Sequence, residues 1–224
     1  MTEKPPIAPY APDVPEHLIP FPGDQRDMAT ELREQHLSHL DLSGLDASDL
    51  RLEESRIEDV DLSASTLRRA SMTDVVVDGG SWANADLANA ALTRLEMEGV
   101  RLTGTVLSAA RISDVSFVDC RIDLSSIRFA ELERVRFENC AMHEADLYAA
   151  NLRSVLFVNC DLAEANLAET TFARCEMRGC HLEGIGDPER LRGVGMPWPD
   201  ILRAAATLAA AAGVHVVAED DGTT

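Results

Sequence analysis

The sequence predicts an all-β solenoid, a quadrilateral β-helix of about seven coils that ends in a C-terminal α-helical cap. Three observations predict it. Uncharged residues recur every five positions over residues 40–184, a second echo recurs every twenty, and turn-forming residues cluster at one position of that echo. Neither a helix nor a plain strand has a period of five, so the backbone must turn after each pentapeptide.

The five-residue series runs from Leu42 to Leu182, and all of its 29 positions are apolar. The residues two positions earlier, from Leu40 to Cys180, form a second series of mostly small or β-branched side chains. None of these 58 positions is charged, whereas random placement in a chain that is 26% charged would give about 15. Each pentapeptide therefore points two side chains inward.

The twenty-residue echo gives the number of pentapeptides in a coil. VSFVDC, VRFENC and VLFVNC begin at Val115, Val135 and Val155. Four pentapeptides therefore make one coil, and equivalent residues stack on successive coils. We number the four faces by their central residues in the first predicted coil: Leu42 for the first, then Ala47, Leu52 and Ile57.

One corner of the coil is restricted to a few residue types. The residue two positions after each fourth-face centre is always one that tolerates positive φ. We therefore predict a type II-like turn at this corner, and the other corners show no such restriction. The residues are Asp59, Gly79, Gly99, Asp119, Asn139, Asn159 and Gly179.

Four cysteines share one inward column, at Cys120, Cys140, Cys160 and Cys180. Stacking places their Cα atoms about 4.8 Å apart, but parallel Cβ directions suit a disulfide poorly. A zinc site needs ligands that converge tetrahedrally, which a straight column does not supply. The prediction is a column of buried thiols, with a disulfide or a metal as the alternatives. Cys175, in a neighbouring column, is interpreted in the same way.

Several pentapeptides resemble those of a known family. ADLAN (85–89), ADLYA (145–149), ANLRS (150–154), CDLAE (160–164) and ANLAE (165–169) match the A(D/N)LXX motif of pentapeptide-repeat proteins. The resemblance covers about two-thirds of the chain and implies a right-handed quadrilateral β-helix. The handedness comes from the resemblance alone.

The ends of the chain depart from the repeat. Residues 1–23 hold seven of the ten prolines and predict a flexible or extended arm. Residues 24–39 are predicted to form a short N-terminal cap, with a helix over 24–36. Residues 185–217 are predicted to form a C-terminal helical cap or dimerisation module, and residues 218–224 a disordered tail.

The predicted C-terminal helix has an apolar stripe that must be buried. The stripe covers the last coil, or it also packs against a second copy and makes a homodimer. Val214 to Val217 would add a short strand. The predicted interface residues are Ile201, Leu202, Ala205, Leu208 and Ala212.

Composition limits the class of function. The chain has 39 acidic and 20 basic residues, a formal charge of -19. Such a chain repels nucleic acid and anionic membranes and suits a basic partner. No secretory signal is recognisable at the N-terminus, and the longest apolar run, 204–217, is too short to cross a bilayer. We therefore predict a cytoplasmic protein. The arginine-rich, alanine-rich composition points to a bacterial source.

Catalysis is not expected. A filled solenoid has no cleft in which catalytic groups converge. The two histidines within the repeats, His143 and His181, occupy different positions of the coil. No phosphate-binding loop is present, so the prediction is a protein that is not an enzyme and needs no cofactor or metal.

The acidic residues follow one edge of the predicted rod. The adjoining first and fourth faces together hold 15 acidic and five basic residues outside the core positions. Seven coils make a rod about 34 Å long, and duplex DNA of that length carries about 20 phosphates. The edge is therefore a candidate mimic of DNA. The predicted partner-binding residues are Glu58, Asp59, Asp78, Glu96, Glu98, Asp119, Asp123, Glu138, Glu144 and Asp161.

The resemblance also suggests a partner. Within the pentapeptide-repeat family, quinolone-resistance proteins are thought to bind DNA gyrase as DNA mimics, and they end in a dimerising helical module. This implies a type II topoisomerase as the partner. The alternative is a general interaction scaffold that uses outward apolar residues. These residues are Val76, Val118, Leu124, Phe129, Leu156 and Val158.

Overall fold

The computed structural model describes residues 4–22 and 30–214. These residues form a parallel solenoid, followed by three short helical segments between Pro188 and Ala211. Within the described residues, none of the helices is long and apolar enough to cross a membrane. The strands are β1 (Ile19–Pro20), β2 (Glu31–Arg33), β3 (Gln35–Ser38), β4 (Arg51–Glu58), β5 (Ser71–Asp78), β6 (Ala91–Glu98), β7 (Arg111–Val118), β8 (Glu131–Glu138), β9 (Asn151–Val158), β10 (Thr171–Ala173) and β11 (Glu176–Arg178).

The twenty-residue register is confirmed. Strands β4 to β9 pair in parallel, each residue with the one twenty positions later, such as Phe117 with Phe137. These strands carry the third and fourth faces. The first and second faces are joined by single bridges, such as Asp41 with Asp61 and Asp46 with Thr66. The four-sided β-helix is therefore the fold of the chain.

The solenoid has about eight coils, one more than the sequence interpretation counted. Strands β2 and β3 pair with β4 in the same register, so the first coil begins at Glu31. Leu32 and Leu37 are buried and continue the five-residue series before Leu42. The helix predicted over residues 24–36 is wrong for residues 31–36, because pairing with β4 outweighs the local helix propensity. Residues 24–29 lie outside the described part of the chain.

The core consists of the two predicted inward series. The rings of Phe117, Phe137 and Phe157 stack nearly parallel, with centroids 4.9 Å and 5.1 Å apart. All three side chains are almost completely buried, as are the small residues between them. Offset stacking of rings at this distance adds to the free energy of burial.

The turn prediction was too narrow. Positive φ occurs at the corresponding corner residue of every face, and it is not confined to the fourth. Each pentapeptide makes the same quarter turn, so each corner needs one left-handed residue, whichever residue type is present. Leu124 and Phe129 adopt φ of 58° and 59°, a conformation that is unusual for bulky side chains.

The N-terminal arm is extended and contacts the solenoid. Strand β1 pairs with β3 in parallel, and Phe21 is buried against the first coil. Of the two forms expected for residues 1–23, flexible or extended, residues 4–22 adopt the extended one. Their strand covers part of an edge that would otherwise expose unpaired backbone groups.

The C-terminal segment lies against the last coil. A 3-10 helix (Pro188–Leu191) is followed by α1 (Trp198–Arg203) and α2 (Ala205–Ala211). A turn at Ala204 therefore divides the single helix that the sequence suggested. The Gly179 amide donates to the Asp200 carboxylate at 2.8 Å, and the Thr207 hydroxyl donates to the carbonyl of Leu182 at 3.3 Å. The strand suggested for residues 214–217 lies, beyond Val214, outside the described residues, as does the tail 218–224.

Candidate partner-binding surface

A column of carboxylates stands on the fourth face, directly after its central residues. Strand pairing places Glu58 beside Asp78 and Asp78 beside Glu98. Among the described residues, neither Asp78 nor Glu98 takes part in an ion pair, and both are exposed. Val118 interrupts the column, and Glu138 follows it. The structure thus brings three predicted site residues together on successive coils, at the β-sheet spacing of about 4.8 Å.

Three of the predicted acidic residues on the fourth face have basic neighbours. Glu58 lies 3.0 Å from His36, and Glu138 lies 2.7 Å from Arg136. Asp59 lies 3.7 Å from His39 at the adjoining corner. The negative potential is therefore least compensated between these ends, at Asp78 and Glu98. Glu96 is exposed beside them, on the same strand as Glu98.

The fourth-face corner forms an amide ladder. The Asn159 side-chain amide donates to the Asn139 oxygen at 3.2 Å, and the Asn139 amide donates to the Asp119 carboxylate at 3.0 Å. Stacked donors and acceptors of this kind join successive coils along the outside of the solenoid. Asp119 ends the ladder, so one of its oxygens accepts a hydrogen bond within the protein.

The three predicted site residues on the first face contact histidines. The Glu144 carboxylate lies 3.1 Å from Nε2 of His143. The backbone amide of His143 donates to Asp123 at 3.2 Å. At the end of the face, Asp161 lies 3.0 Å from Nδ1 of His181 and, together with Glu183, raises the pKa of His181. This face therefore presents mixed acidic and imidazole groups.

One cluster on the first face escaped the sequence interpretation. Side-chain ligand atoms of His143, Glu144 and Glu164 all lie within 4.8 Å of one another. Glu144 and Glu164 occupy the same corner position on successive coils. Their separation of twenty residues could have predicted that they lie close together. Within the described residues, this is the group that could hold a metal ion, but all three side chains are open to solvent.

The cysteine column consists of free thiols. Its four members are unbridged, and the Cys140 thiol donates to the carbonyl of Phe117. A hydrogen bond to the Cys120 sulfur, followed by burial, raises the pKa of Cys140 to about 12. The expectation that all four column members are almost wholly buried is wrong for Cys180. It is partly exposed because, in the described part of the chain, the C-terminal helices follow its coil where a further full coil would have covered it.

We expect one thiol of the native protein to react with a thiol reagent before the others. Cys180 should be labelled first, more slowly than free cysteine, because its hydrogen bond to Cys160 raises its pKa. The other four should react only on unfolding. Comparing native wild type with Cys180→Ser in a colorimetric thiol assay checks this. Rapid labelling of several native thiols, or stoichiometric zinc, would contradict the buried column.

Exposed apolar side chains cluster on the second face. Leu124 and Phe129 stand at the two corners of this face with 57% and 54% of their surface exposed. The ring of Tyr148, on the next coil, meets Phe129 edge-on at 5.4 Å. The Arg128 guanidinium lies 4.5 Å from the Tyr148 ring centroid. We call these four residues the aromatic cluster.

The predicted dimer residues divide between two sides of the C-terminal helices. Leu208 packs against the core, and Ile201 is half-buried. Leu202 is 60% exposed, and Ala205 and Ala212 are also exposed. Trp198, which the sequence interpretation omitted, is 69% exposed and lies one helical turn before Leu202. The outward apolar face is therefore rotated from the predicted stripe.

Comparisons with known proteins agree with the repeat. A family model described as pentapeptide repeat region matches residues 130–186. Another, described as pentapeptide repeats in eight copies, matches residues 70–108 and 83–123. None of the curated protein sequences matches this chain. The matched residues, 70–123 and 130–186, lie almost entirely within the five-residue repeat.

Two solved structures illustrate the similarity. HetL, a pentapeptide repeat protein involved in heterocyst differentiation regulation from the cyanobacterium Nostoc sp. strain PCC 7120, is 20% identical, with 75% of this chain and 90% of HetL covered and a TM-score of 0.45. Trypsin-treated QnrB1, a plasmid-mediated fluoroquinolone resistance protein, is 16% identical, with 87% and 95% covered and a TM-score of 0.38.

Proposed function

This chain is a pentapeptide-repeat protein, and from that premise we propose that it acts by binding and not by catalysis. Its first and fourth faces present an acidic edge that mimics duplex DNA to a basic DNA-binding protein. The observation that carries this proposal is the exposed column of Glu58, Asp78 and Glu98 on successive coils. The proposed site of action is the cytoplasm.

Charge density supports the proposal. About eight coils give a rod roughly 38 Å long, and duplex DNA of that length carries about 22 phosphates. The excess of ten acidic over basic residues on the edge is about half of that charge. The edge therefore has a negative electrostatic potential, like that of DNA but weaker. It would attract the basic surface of a protein that binds DNA. Backbone hydrogen bonds between all coils hold the charges in a fixed line.

The resemblance to quinolone-resistance proteins selects DNA gyrase as the first partner to test. The purified protein should inhibit gyrase supercoiling, compete with duplex DNA for the enzyme, and lose potency steeply as salt rises. Binding to gyrase that neither competes with duplex DNA nor weakens as the salt concentration rises would contradict mimicry. If the wild type does not affect gyrase or other type II topoisomerases, this partner class is wrong.

A scaffold role is the second candidate, and the aromatic cluster favours it. Leu124 and Phe129 expose apolar surface at the two corners of one face, and exposed apolar clusters often mark binding sites. Alanine at Phe129 and Tyr148 should then weaken partner binding and leave its salt dependence unchanged. Mimicry requires the reverse: little loss from these substitutions and strong salt dependence.

The proposed binding unit is a dimer formed through the outward helix face. We expect Leu202→Glu to convert a dimer into monomers, because it places a charge in an apolar interface. Sedimentation velocity at micromolar concentration measures this. Arg192→Glu, also exposed but outside the face, is the matched control and should remain dimeric. A wild type that is already monomeric would leave the helices as a cap alone. Leu208 is unsuitable for the test because it packs inward.

A further inference from the structure

The N-terminal arm lies along a column of alternating charges between the third and fourth faces. The column consists of Asp74, Arg94, Asp114 and Arg134, one residue from each of four successive coils. Each arginine donates two hydrogen bonds to the aspartate one coil earlier, at 2.5–2.6 Å for Arg94 and 2.6–2.8 Å for Arg134. The carboxylates are thereby fixed in position and keep the capacity to accept further hydrogen bonds.

The arm contributes those further hydrogen bonds through its backbone. The Asp13 amide donates to Asp74 at 3.1 Å, and the Tyr10 amide donates to Asp114 at 3.2 Å. The two aspartates are only 7% and 5% exposed. Although burial raises the pKa of Asp114, the hydrogen bonds from Arg134 and Tyr10 outweigh it and hold the pKa below its usual value. The two buried carboxylates are therefore fixed in position to accept hydrogen bonds from backbone amides.

The spacing of the column matches a polyproline II helix. Asp74 and Asp114 are two coils apart, about 9.6 Å. Three residues of polyproline II rise about 9.3 Å, which is the separation of Tyr10 and Asp13 along the chain. The arm has a proline at every third position, Pro6, Pro9, Pro12 and Pro15. The residues that follow Pro9 and Pro12 donate their amides, so one N–H faces the column in each of these two turns.

Recognition through the backbone leaves the arm's side chains outside. Tyr10 is 65% exposed and Ile7 is 48% exposed, although the Arg134 guanidinium lies 5.9 Å from the Tyr10 ring centroid. Recognition by the column therefore depends on the spacing of the prolines and on the backbone N–H groups between them. It depends less on which side chains lie between the prolines. A segment from another polypeptide with the same period presents the same donors.

We propose that the column from Asp74 to Arg134 is a recognition site for polyproline II peptides with proline at every third residue, which the chain's own arm occupies in competition with such peptides. The arm is tethered, so its effective concentration at the site is high. A separate peptide binds well only when the arm is displaced. The site reads amide donors with carboxylates and does not need an aromatic-lined groove.

The test uses the full-length protein. Tyr10→Pro together with Asp13→Pro removes both amide donors, keeps the polyproline II conformation and leaves every solenoid residue unchanged. A fluorescently labelled peptide of residues 4–16 is titrated against this variant and the wild type, with anisotropy as the readout. We expect the variant to bind the peptide at least about tenfold more tightly than the wild type. Circular dichroism checks that the solenoid is intact.

A second peptide, with proline at the positions of Tyr10 and Asp13, is the matched ligand control and should not bind. Equal binding of both peptides would show that the amides are not read, and would overturn the proposal. So would a variant that binds neither peptide, or a wild type that binds the first peptide as tightly as the variant does. Hydrogen exchange gives an independent readout: the Tyr10 and Asp13 amides should exchange more slowly in the protein than in the free peptide, and equal rates would refute the proposed contact.

Discussion

Phe137→Ala is expected to lower the free energy of unfolding by about 3–5 kcal/mol, because it deletes a ring from the buried stack. The ring lies between Phe117 and Phe157, and its removal leaves a cavity that rigid neighbouring coils fill poorly. For a domain of this size, the melting temperature should fall by roughly 6–20 °C. Thermal unfolding followed by circular dichroism measures the change.

Phe129→Ala is the matched control for this prediction. It removes the same side chain from an exposed corner, where the ring is about half accessible. We expect a change in stability within about 1 kcal/mol, since surface substitutions away from buried contacts have small effects. Similar losses in the two variants would show that burial of the Phe117–Phe137–Phe157 stack does not determine stability.

Reversal of the acidic column should produce the largest functional effect. Changing Glu58, Asp78, Glu98 and Glu138 to lysine alters one outward column without touching the core, and we expect gyrase inhibition to weaken at least about tenfold. Attraction between the edge and a basic saddle is replaced by repulsion at these four positions. Supercoiling assays at fixed salt measure the loss.

The control variant carries the same change in net charge elsewhere. Its four substitutions to lysine lie on exposed acidic residues of the second and third faces and should largely preserve inhibition. Three of the four lose a surface ion pair, each worth about 0–1 kcal/mol, so both variants need a check of melting temperature. Equal loss of inhibition in both would indicate nonspecific electrostatics. The control residues are Asp49, Glu131, Glu133 and Glu169.

The core could be predicted from the sequence because the same two inward positions recur in all 29 pentapeptides. Any other choice of inward positions would have placed charged residues in the core. The chosen positions carry no charge in any of the 29 pentapeptides. The same period extended back to Leu37 and Leu32, but the helix-forming residues around them obscured it. Local propensity gave way to pairing with β4.

The contacts of the arm could not be predicted from inward periodicity. Its hydrogen bonds use main-chain amides, which every residue other than proline possesses, so residue types alone do not reveal them. The proline period of three and the alternating charges at Asp74, Arg94, Asp114 and Arg134 are both present in the sequence. No residue type in either pattern shows that the two are in contact.

The outward helix face was misplaced for a different reason. The predicted stripe combined residues from two sides of the C-terminal helices. Ile201 and Leu208 lie on the core side with the buried Ala204, whereas Leu202 lies outside with Trp198. Because alanines fill most of the other positions, the sequence gives little contrast between a buried and an exposed side.

The twenty-residue register also limits how the gene can change in length. Inserting or deleting five codons within the repeats would keep the inward pattern but rotate every later face by a quarter turn, moving part of the acidic column onto another side of the rod. A change of twenty codons would add or remove a whole coil and keep each column straight. Duplication or loss of complete coils is therefore the route by which such a protein can lengthen or shorten its surface to fit a partner.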